Sequence, residues 1–291
     1  MKLFILLIGL TIFLTGCVFT DSFLDEKVIV EITSSYQNIQ EEITILQTQL
    51  GLTYASGATT TANQEYTKEQ LENAKITRNK LEVSLSNLDK QIQELKEEEL
   101  REKLESSITL YKEYLVIEEK YSENYYYYLD YSENYDTFEK DFLAARKLDE
   151  KADKAIYYDE NYDRAKQYLL DAKDKTDKAK TDLHQAQEIM VLDTDKRFDE
   201  ALSHFSIYLE LSLDYVELLD EEEYSKADEV YGELIDEYEA YYDLLPNDTE
   251  VEEEEQDWIL NNLTKVIGKA EEKRLSAHKV FGDALEESTK K

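Results

Sequence analysis

The sequence predicts an all-α protein, built as antiparallel coiled-coil hairpins or an elongated helical bundle of about seven helices. Only one proline and seven glycines interrupt 291 residues, so the chain has few residues that end helices or form tight turns. Glu, Lys, Leu and Ala, which are strong helix formers, are abundant. Apolar residues recur at alternating intervals of three and four, which places them on one face of a helix.

The start of the chain has the layout of an export signal. Lys2 supplies a positive charge, residues 3–14 form an uncharged apolar run, and the stretch Leu14-Thr15-Gly16-Cys17 follows. This stretch resembles the lipobox of prokaryotic lipoproteins. The resemblance implies that the Cys17 thiol receives a diacylglyceryl group and that the signal, residues 1–16, is cut off just before it.

A diacyl anchor on Cys17 would hold the body of the protein at the membrane, because two acyl chains give stable attachment where one gives only marginal binding. Residues 17–23 would then be a short lipidated tether. Two alternatives remain open. Residues 3–19 are about the minimum length for an uncleaved membrane span, and the signal could also be cut in the ordinary way without lipidation.

The charge of the chain excludes several classes of partner. It carries 33 basic and 67 acidic residues and a formal net charge of −34, which makes a nucleic-acid partner untenable. An anionic membrane surface would also repel the body.

Cys17 is the sole cysteine, so once it is acylated no thiol remains for a disulfide, redox chemistry or a thiolate metal site.

Residues 24–120 are predicted to form a long coiled-coil hairpin. A helix over 24–50 and a second over 66–120 carry matching heptads, and the connection 51–64 contains small polar residues and Gly51, which should end the first helix. Arg78 occupies the one polar position of the seam, and the five-residue step from Leu95 to Leu100 is interpreted as a stutter within one continuous helix. The seam residues are Ile32, Tyr36, Ile39, Ile43, Leu46, Leu50, Leu71, Ala74, Leu81, Leu85, Leu88, Ile92, Leu95, Leu100, Leu104, Ile108, Tyr111 and Leu115.

Two further helical regions are predicted, a Tyr-rich and Ala-rich hairpin over 121–192 and a C-terminal helical region over 193–291. A break is expected near Asp159, after which alanine recurs every seventh residue and allows a close helix pair. Asp193 or Thr194 is expected to cap the next helix, and Pro246 to end the one that follows. Thr249 with Glu252 has capping-box spacing for the last helix.

The sequence offers little for metal binding, cofactor binding or catalysis. His184, His204 and His278 are scattered, and none follows a glutamate by three residues as in di-iron bundles, so we expect them at the surface. The run from Asp159 to Asp163 begins like a calcium loop but lacks the glycine and the final glutamate, and a turn with a helix cap explains it better. We therefore expect no metal, no cofactor and no enzyme activity, with glycine too dispersed for a phosphate-binding loop.

Tyrosine is the unusual residue of this chain, with 23 in all. Most of these rings should fill helix seams with the hydroxyl at the wet edge. Tyr125, Tyr126, Tyr127 and Tyr128 step around a helix by 100° each and so do not share one buried face. Because charged residues flank them, we expect a partly exposed aromatic patch and a possible surface for a protein or cell-wall partner.

Taken together, these features predict a membrane-anchored extracytoplasmic lipoprotein with a helical structural or binding module. Its design resembles that of cell-wall-binding lipoproteins of Gram-positive bacteria, without a shared motif beyond the lipobox. The alternative is an accessory or solute-binding subunit of a membrane complex. Asn247 and Asn262 lie in glycosylation acceptor patterns, which have meaning only in an organism that glycosylates exported protein.

Overall fold

The computed structural model describes residues 20–55 and 61–290. Over these residues 93% of the chain is helical and no strand occurs, which confirms the all-α prediction. When closely consecutive helices are counted as one, the described part has six helices rather than about seven. The helices are α1 (Thr20–Ala55), α2 (Thr61–Gln93), α3 (Glu98–Tyr157), α4 (Tyr162–Ile189), α5 (Asp193–Asp220), α6 (Tyr224–Leu244), α7 (Asp248–Ile259), a π-helical turn (Leu260–Thr264) and α8 (Lys265–Lys290).

The chain divides into two compact units. Unit 1 contains residues 1–123 and 264–291, and unit 2 contains residues 124–263. The chain therefore passes from unit 1 to unit 2 within α3, and returns at the end of the π-helical turn. Residues 193–291 are predicted to form one region, whereas the structure assigns their last helix to the unit formed by the beginning of the chain.

Helices α1 and α2 of unit 1 pack along one another. Five residues link them, and such a link spans at most ~18 Å, whereas a helix of the length of α1 extends ~50 Å. Two packed helices with so short a link must be antiparallel. The apolar seam predicted for both helices is buried throughout, from Ile32 to Leu50 and from Leu71 to Leu95. Gly51 does not end α1, which continues to Ala55.

The predicted continuous helix over 66–120 is wrong, because the chain breaks at residues 94–97, between α2 and α3. Directly after α2, the amides of Glu94 and Leu95 bond to carbonyls three residues earlier, with Leu95 N to Ile92 O at 3.1 Å. The Arg101 guanidinium donates to Leu95 O at 3.3 Å. The turn keeps Leu95 and Leu100 both buried. The five-residue step is therefore a turn between two helices. The stretch contains no glycine or proline, so its sequence does not indicate a turn.

Helix α8 completes unit 1. The Ser107 hydroxyl of α3 donates to Ala277 O at 2.8 Å in a buried contact, and the ring of Tyr36 in α1 stacks on that of Phe281 with centroids 3.7 Å apart. Tyr36 also bonds through its hydroxyl to Tyr111 at 2.9 Å. Four helical segments, α1, α2, the first part of α3 and α8, thus share one core.

Unit 2 has its own core, built from the second part of α3 with α4, α5 and α6. Aromatic rings form its centre: the Phe205 ring lies 4.8 Å from that of Tyr241 and 6.3 Å from that of Phe142, measured between centroids. All four alanines of the heptad in α4 are fully buried, as the close helix pair requires. They are Ala165, Ala172, Ala179 and Ala186.

Helix ends in unit 2 follow the predicted chemistry in part. The Asn161 side chain caps α4 by accepting from Arg164 N at 3.1 Å, as expected for the turn near Asp159, and α6 ends before Pro246. Neither Asp193 nor Thr194 caps α5, where the Asp195 carboxylate accepts from Leu192 N at 3.0 Å.

The capping box of α7 also differs from the prediction. It is formed by Asn247 and Glu250, whose side chains each accept the other residue's backbone N–H at 3.0 Å, and not by Thr249 and Glu252. Two overlapping stretches have capping-box spacing here, and α7 begins at the earlier one.

Candidate functional site

Cys17 and the stretch before it lie outside the described residues. The predicted lipid attachment therefore stays a prediction. Among the described helices, none combines the length and apolar character that crossing a membrane requires.

The four consecutive tyrosines lie on an unbroken stretch of α3 and differ in exposure. Tyr125 is buried and Tyr127 is 55% exposed, while Tyr126 and Tyr128 are half-buried. Tyr128 donates to Glu255 Oε1 at 2.8 Å and stacks between Tyr125 and Trp258. The prediction of partial exposure thus applies mainly to Tyr127, and a role in partner binding stays a prediction.

These exposures give a direct test of the partner surface. Tyr127→Ala should change the free energy of unfolding by less than ~0.5 kcal/mol, because surface substitutions rarely do more. Tyr125→Ala should cost roughly 3 kcal/mol, since it removes a buried ring. If Tyr127→Ala also weakens capture of a membrane partner by more than ~1 kcal/mol, the ring is a contact. Unchanged capture would remove Tyr127 from the candidate surface.

Helix α6 exposes several tyrosines, although most tyrosine rings of this chain are expected to fill helix seams. Tyr224, Tyr231 and Tyr238 share its heptad stripe with Leu234 and Tyr241, yet the first three are at least 36% exposed while the last two are buried. The stripe extends beyond the part of the α6 surface that the other helices of unit 2 cover. Heptad spacing alone does not indicate which of its members lie at the edge.

Unit 1 contains a cavity of about 430 Å³ between three helices. We call it the Glu118 cavity. Residues spaced three or four apart on one face of each helix line it, and Gly51 and Gly268 form its solvent-exposed mouth. The described lining residues are Gln47, Leu50 and Gly51 of α1, Glu118 and Tyr121 of α3, Thr264 at the end of the π-helical turn, and Ile267, Gly268 and Glu271 of α8.

Two glycines keep the mouth of the cavity open. A Cβ atom added to Gly51 or Gly268 would meet no atom within 4 Å, so neither glycine is required for close packing. Thr264 ends the only π-helical turn of the described residues, and π-helical turns within helices occur frequently at functional sites. The cavity beside this turn has the size that small ligands occupy.

Glu118 is the chemically unusual residue of the cavity. Its side chain is only 2% exposed, and its Oε2 atom has no hydrogen-bond partner. Burial raises the pKa of Glu118 to about 7, and the nearby Tyr114 hydroxyl and Arg78 guanidinium oppose this shift only in part. A carboxyl group that titrates near neutral pH in a partly apolar cavity is typical of functional sites.

The other charged groups facing Glu118 leave it without an ion-pair partner. Arg78 of α2 bonds instead to Glu119 at 3.2 Å. Glu271 of α8 has a negative charge that further raises the Glu118 pKa, and it is itself held by Arg274 at 2.5 Å and by Gln47 at 3.0 Å. From α1 the cavity receives only uncharged described side chains.

Unit 2 also buries carboxylates, but these have partners. Asp195 accepts from the Tyr131 hydroxyl at 2.9 Å, and Asp149 accepts from the Tyr208 hydroxyl at 3.2 Å. Burial raises the pKa of Asp195 to about 6 and that of Asp149 to about 7. Because each carboxylate links two helices through a tyrosine, we interpret both as parts of the packing.

The histidines lie where the sequence predicts, at or near the surface. His184 bonds to Asp199 at 2.8 Å, His204 to Glu237 at 2.7 Å, and His278 to the Tyr36 hydroxyl at 2.6 Å. No group of three or more His, Cys, Asp or Glu side chains suited to a metal occurs within residues whose placement is described.

Glu118 is not among the site residues predicted from the sequence. One signal was available: Glu118 follows Tyr111, Tyr114 and Leu115 at spacings of seven, four and three, so it lies on the buried face of the helix. In a chain with 67 acidic residues, one carboxylate on an apolar face does not stand out. No protein-family model, no curated protein and no solved structure matches this chain.

Proposed function

We propose that the protein is a lipoprotein held at the extracytoplasmic face of a cell membrane by a diacylglyceryl group on Cys17, with a helical body that acts as a binding module. The observation that carries the anchor is the uncharged run 3–14, whose last residue begins the stretch Leu14-Thr15-Gly16-Cys17. The strongly negative body supports a position away from anionic headgroups. Such a protein would present its helices to partners at the cell surface.

A second role, as an accessory or solute-binding subunit of a membrane complex, is favoured by one observation. The Glu118 cavity has a volume within the range of small-molecule sites, which are roughly 300 to 1,000 Å³. A structural module would not need such a space. Both roles place binding, not catalysis, in the helical body.

Cys17→Ser should release the protein from the membrane fraction into the medium or the soluble fraction. Serine has no thiol to receive the lipid, and the remaining apolar residues of the signal are cut off or retained without a diacyl group. Membrane fractionation with a high-salt wash measures the effect, and mass spectrometry of the wild-type N-terminal peptide should show the diacylglyceryl mass on Cys17.

Thr20→Ser provides a control outside the lipobox and should leave attachment unchanged. If the wild-type N-terminal peptide still carries residues 1–16 and has no diacylglyceryl mass on Cys17, residues 3–19 are an uncleaved span, and the lipid anchor is wrong.

A further inference from the structure

The Glu118 cavity combines a polar anchor with an apolar interior, and one oxygen of that anchor, Oε2, has no hydrogen-bond partner although the Tyr114 hydroxyl lies near the carboxylate. A buried acceptor without a hydrogen bond is costly, and Glu118 Oε2 is such an acceptor. Leu50, Tyr121 and Ile267 supply apolar surface around it. The terminal torsion of a glutamate side chain is broad, so a small rotation can turn either carboxylate oxygen toward the cavity.

The charges around the cavity select the kind of molecule that would satisfy this acceptor. Glu118 and Glu271 are the ionisable carboxylates of the lining, and no lysine or arginine is among its described residues. The two nearby guanidinium groups lie outside the lining and are bonded to other carboxylates, Arg78 to Glu119 and Arg274 to Glu271. The body of the protein carries a large excess of negative charge, which attracts cations and repels anions. An acidic ligand is therefore disfavoured, and a hydrogen-bond donor with a positive charge is favoured.

A metal ion does not fit this arrangement. Hard cations such as calcium require six to eight oxygen ligands, whereas Glu118 offers one carboxylate and Glu271 is already bonded to Arg274 and Gln47. The apolar walls would also leave such an ion poorly solvated.

We propose that the Glu118 cavity binds a small organic ammonium compound, with the ammonium group bonded to the Glu118 carboxylate and an apolar body lying between α1, α3 and α8. This inference deepens the binding role proposed above and does not depend on the lipid anchor. The compound enters past Gly51 and Gly268, where the exposed backbone leaves the cavity open.

Three probes of matched size test the proposal: 4-phenylbutylamine, which is an ammonium ion at neutral pH, neutral 4-phenylbutanol and anionic 4-phenylbutyrate. Each is titrated calorimetrically into the full-length protein in nonionic detergent, with empty micelles as the blank. We expect the amine to bind at least tenfold more tightly than the alcohol, and the acid to bind most weakly. Equal affinity for the amine and the alcohol, or tighter binding of the acid, overturns the proposal.

The pH dependence of amine binding should follow the ionisation of Glu118, whose pKa is about 7 and is influenced by Tyr114, Arg78 and Glu271. Affinity for the amine should fall about tenfold from pH 8 to pH 6, because ~90% of Glu118 is ionised at the higher pH and ~10% at the lower. At pH 7 binding should release about half a proton, measured as the dependence of the binding enthalpy on buffer ionisation. Affinity for the alcohol should not change in this way.

Glu118→Gln should reduce amine affinity at least tenfold and remove the proton release, while Glu102→Gln serves as the matched control. Glu102 lies on the same helix, is exposed and loses the same charge. Unchanged amine binding in Glu118→Gln contradicts the assigned anchor.

Gly268→Leu tests the site without altering Glu118. Its Cβ atom would meet no other atom within 4 Å, and the larger side chain at the mouth should obstruct the cavity, lowering amine affinity more than tenfold while the helix content stays the same. If Gly268→Leu binds the amine as well as the wild type does, the ligand lies elsewhere. Loss of probe binding leaves the lipid anchor untouched, and release by Cys17→Ser leaves the cavity untouched, so the two proposals fail separately.

Discussion

Phe205→Ala should lower the free energy of unfolding of unit 2 by about 4 kcal/mol. Phe205 is 1% exposed and contacts the rings of Phe142, Tyr208 and Tyr241. Removing it costs both the transfer of a large apolar side chain and the cavity that the neighbouring rings cannot close. Urea unfolding, with hydrogen exchange of the α5 and α6 amides, measures the loss.

Ile207→Ala on the same helix is the matched control for Phe205→Ala. Ile207 is 43% exposed, so its truncation should change stability by less than ~1 kcal/mol. Comparable losses in the two variants would mean that the ring cluster is not the centre of the unit 2 core.

Glu118→Gln should stabilise unit 1, and the gain should grow with pH. The pKa of Glu118 is raised from 4.5 to about 7 in the folded state, so folding takes up a proton between these values and stability is lost as the pH rises through 7. A shift of this size corresponds to about 3 kcal/mol. Glutamine has nearly the same shape and cannot ionise, so the variant should avoid this loss.

The advantage of Glu118→Gln over the wild type should be about 1 kcal/mol at pH 5.5 and about 3 kcal/mol at pH 8. Arg78, Glu271 and Tyr114, which influence the pKa of Glu118, are present in both proteins. Chemical denaturation across this range measures the difference, with Glu102→Gln as the control that should show no such trend. A difference independent of pH would mean that Glu118 is not held in its neutral form.

Much of the fold could be predicted from the spacing of apolar residues. The heptad positions of α1 and α2 are buried without exception from Ile32 onward, and Arg78, the one polar seam residue, is 5% exposed and paired with Glu119. Burial of one face is a local consequence of helical geometry. For α1 and α2, the spacing of apolar residues is therefore a reliable guide to which face of the helix is buried.

The errors arose where the outcome depends on contacts distant in sequence. The turn at residues 94–97 has no glycine or proline, and it forms because Leu95 and Leu100 both find places in the core of unit 1. The assignment of α8 to unit 1 depends on Ser107 and Tyr36, which are 170 or more residues away from their partners in α8. Periodicity identifies a buried face but not the helix that covers it.

The candidate site was harder to predict than the fold for a related reason. The Glu118 cavity is formed by three helices that are remote in sequence, and by two glycines that leave space instead of filling it. Glu118 differs from the other acidic residues only through its surroundings. These surroundings form only when α1, α3 and α8 pack together in the folded protein.

The split of unit 1 along the chain determines the order in which the protein can acquire its structure during synthesis. Tyr36 and its partner His278 are separated by 242 residues, so at about 5 to 20 residues per second the ribosome needs roughly 12 to 48 s to add the second after the first. Unit 2 is complete before α8 exists. The α1 and α2 pair must therefore wait with an unfilled core, and any product terminated ahead of α8 would present that apolar surface to chaperones and proteases.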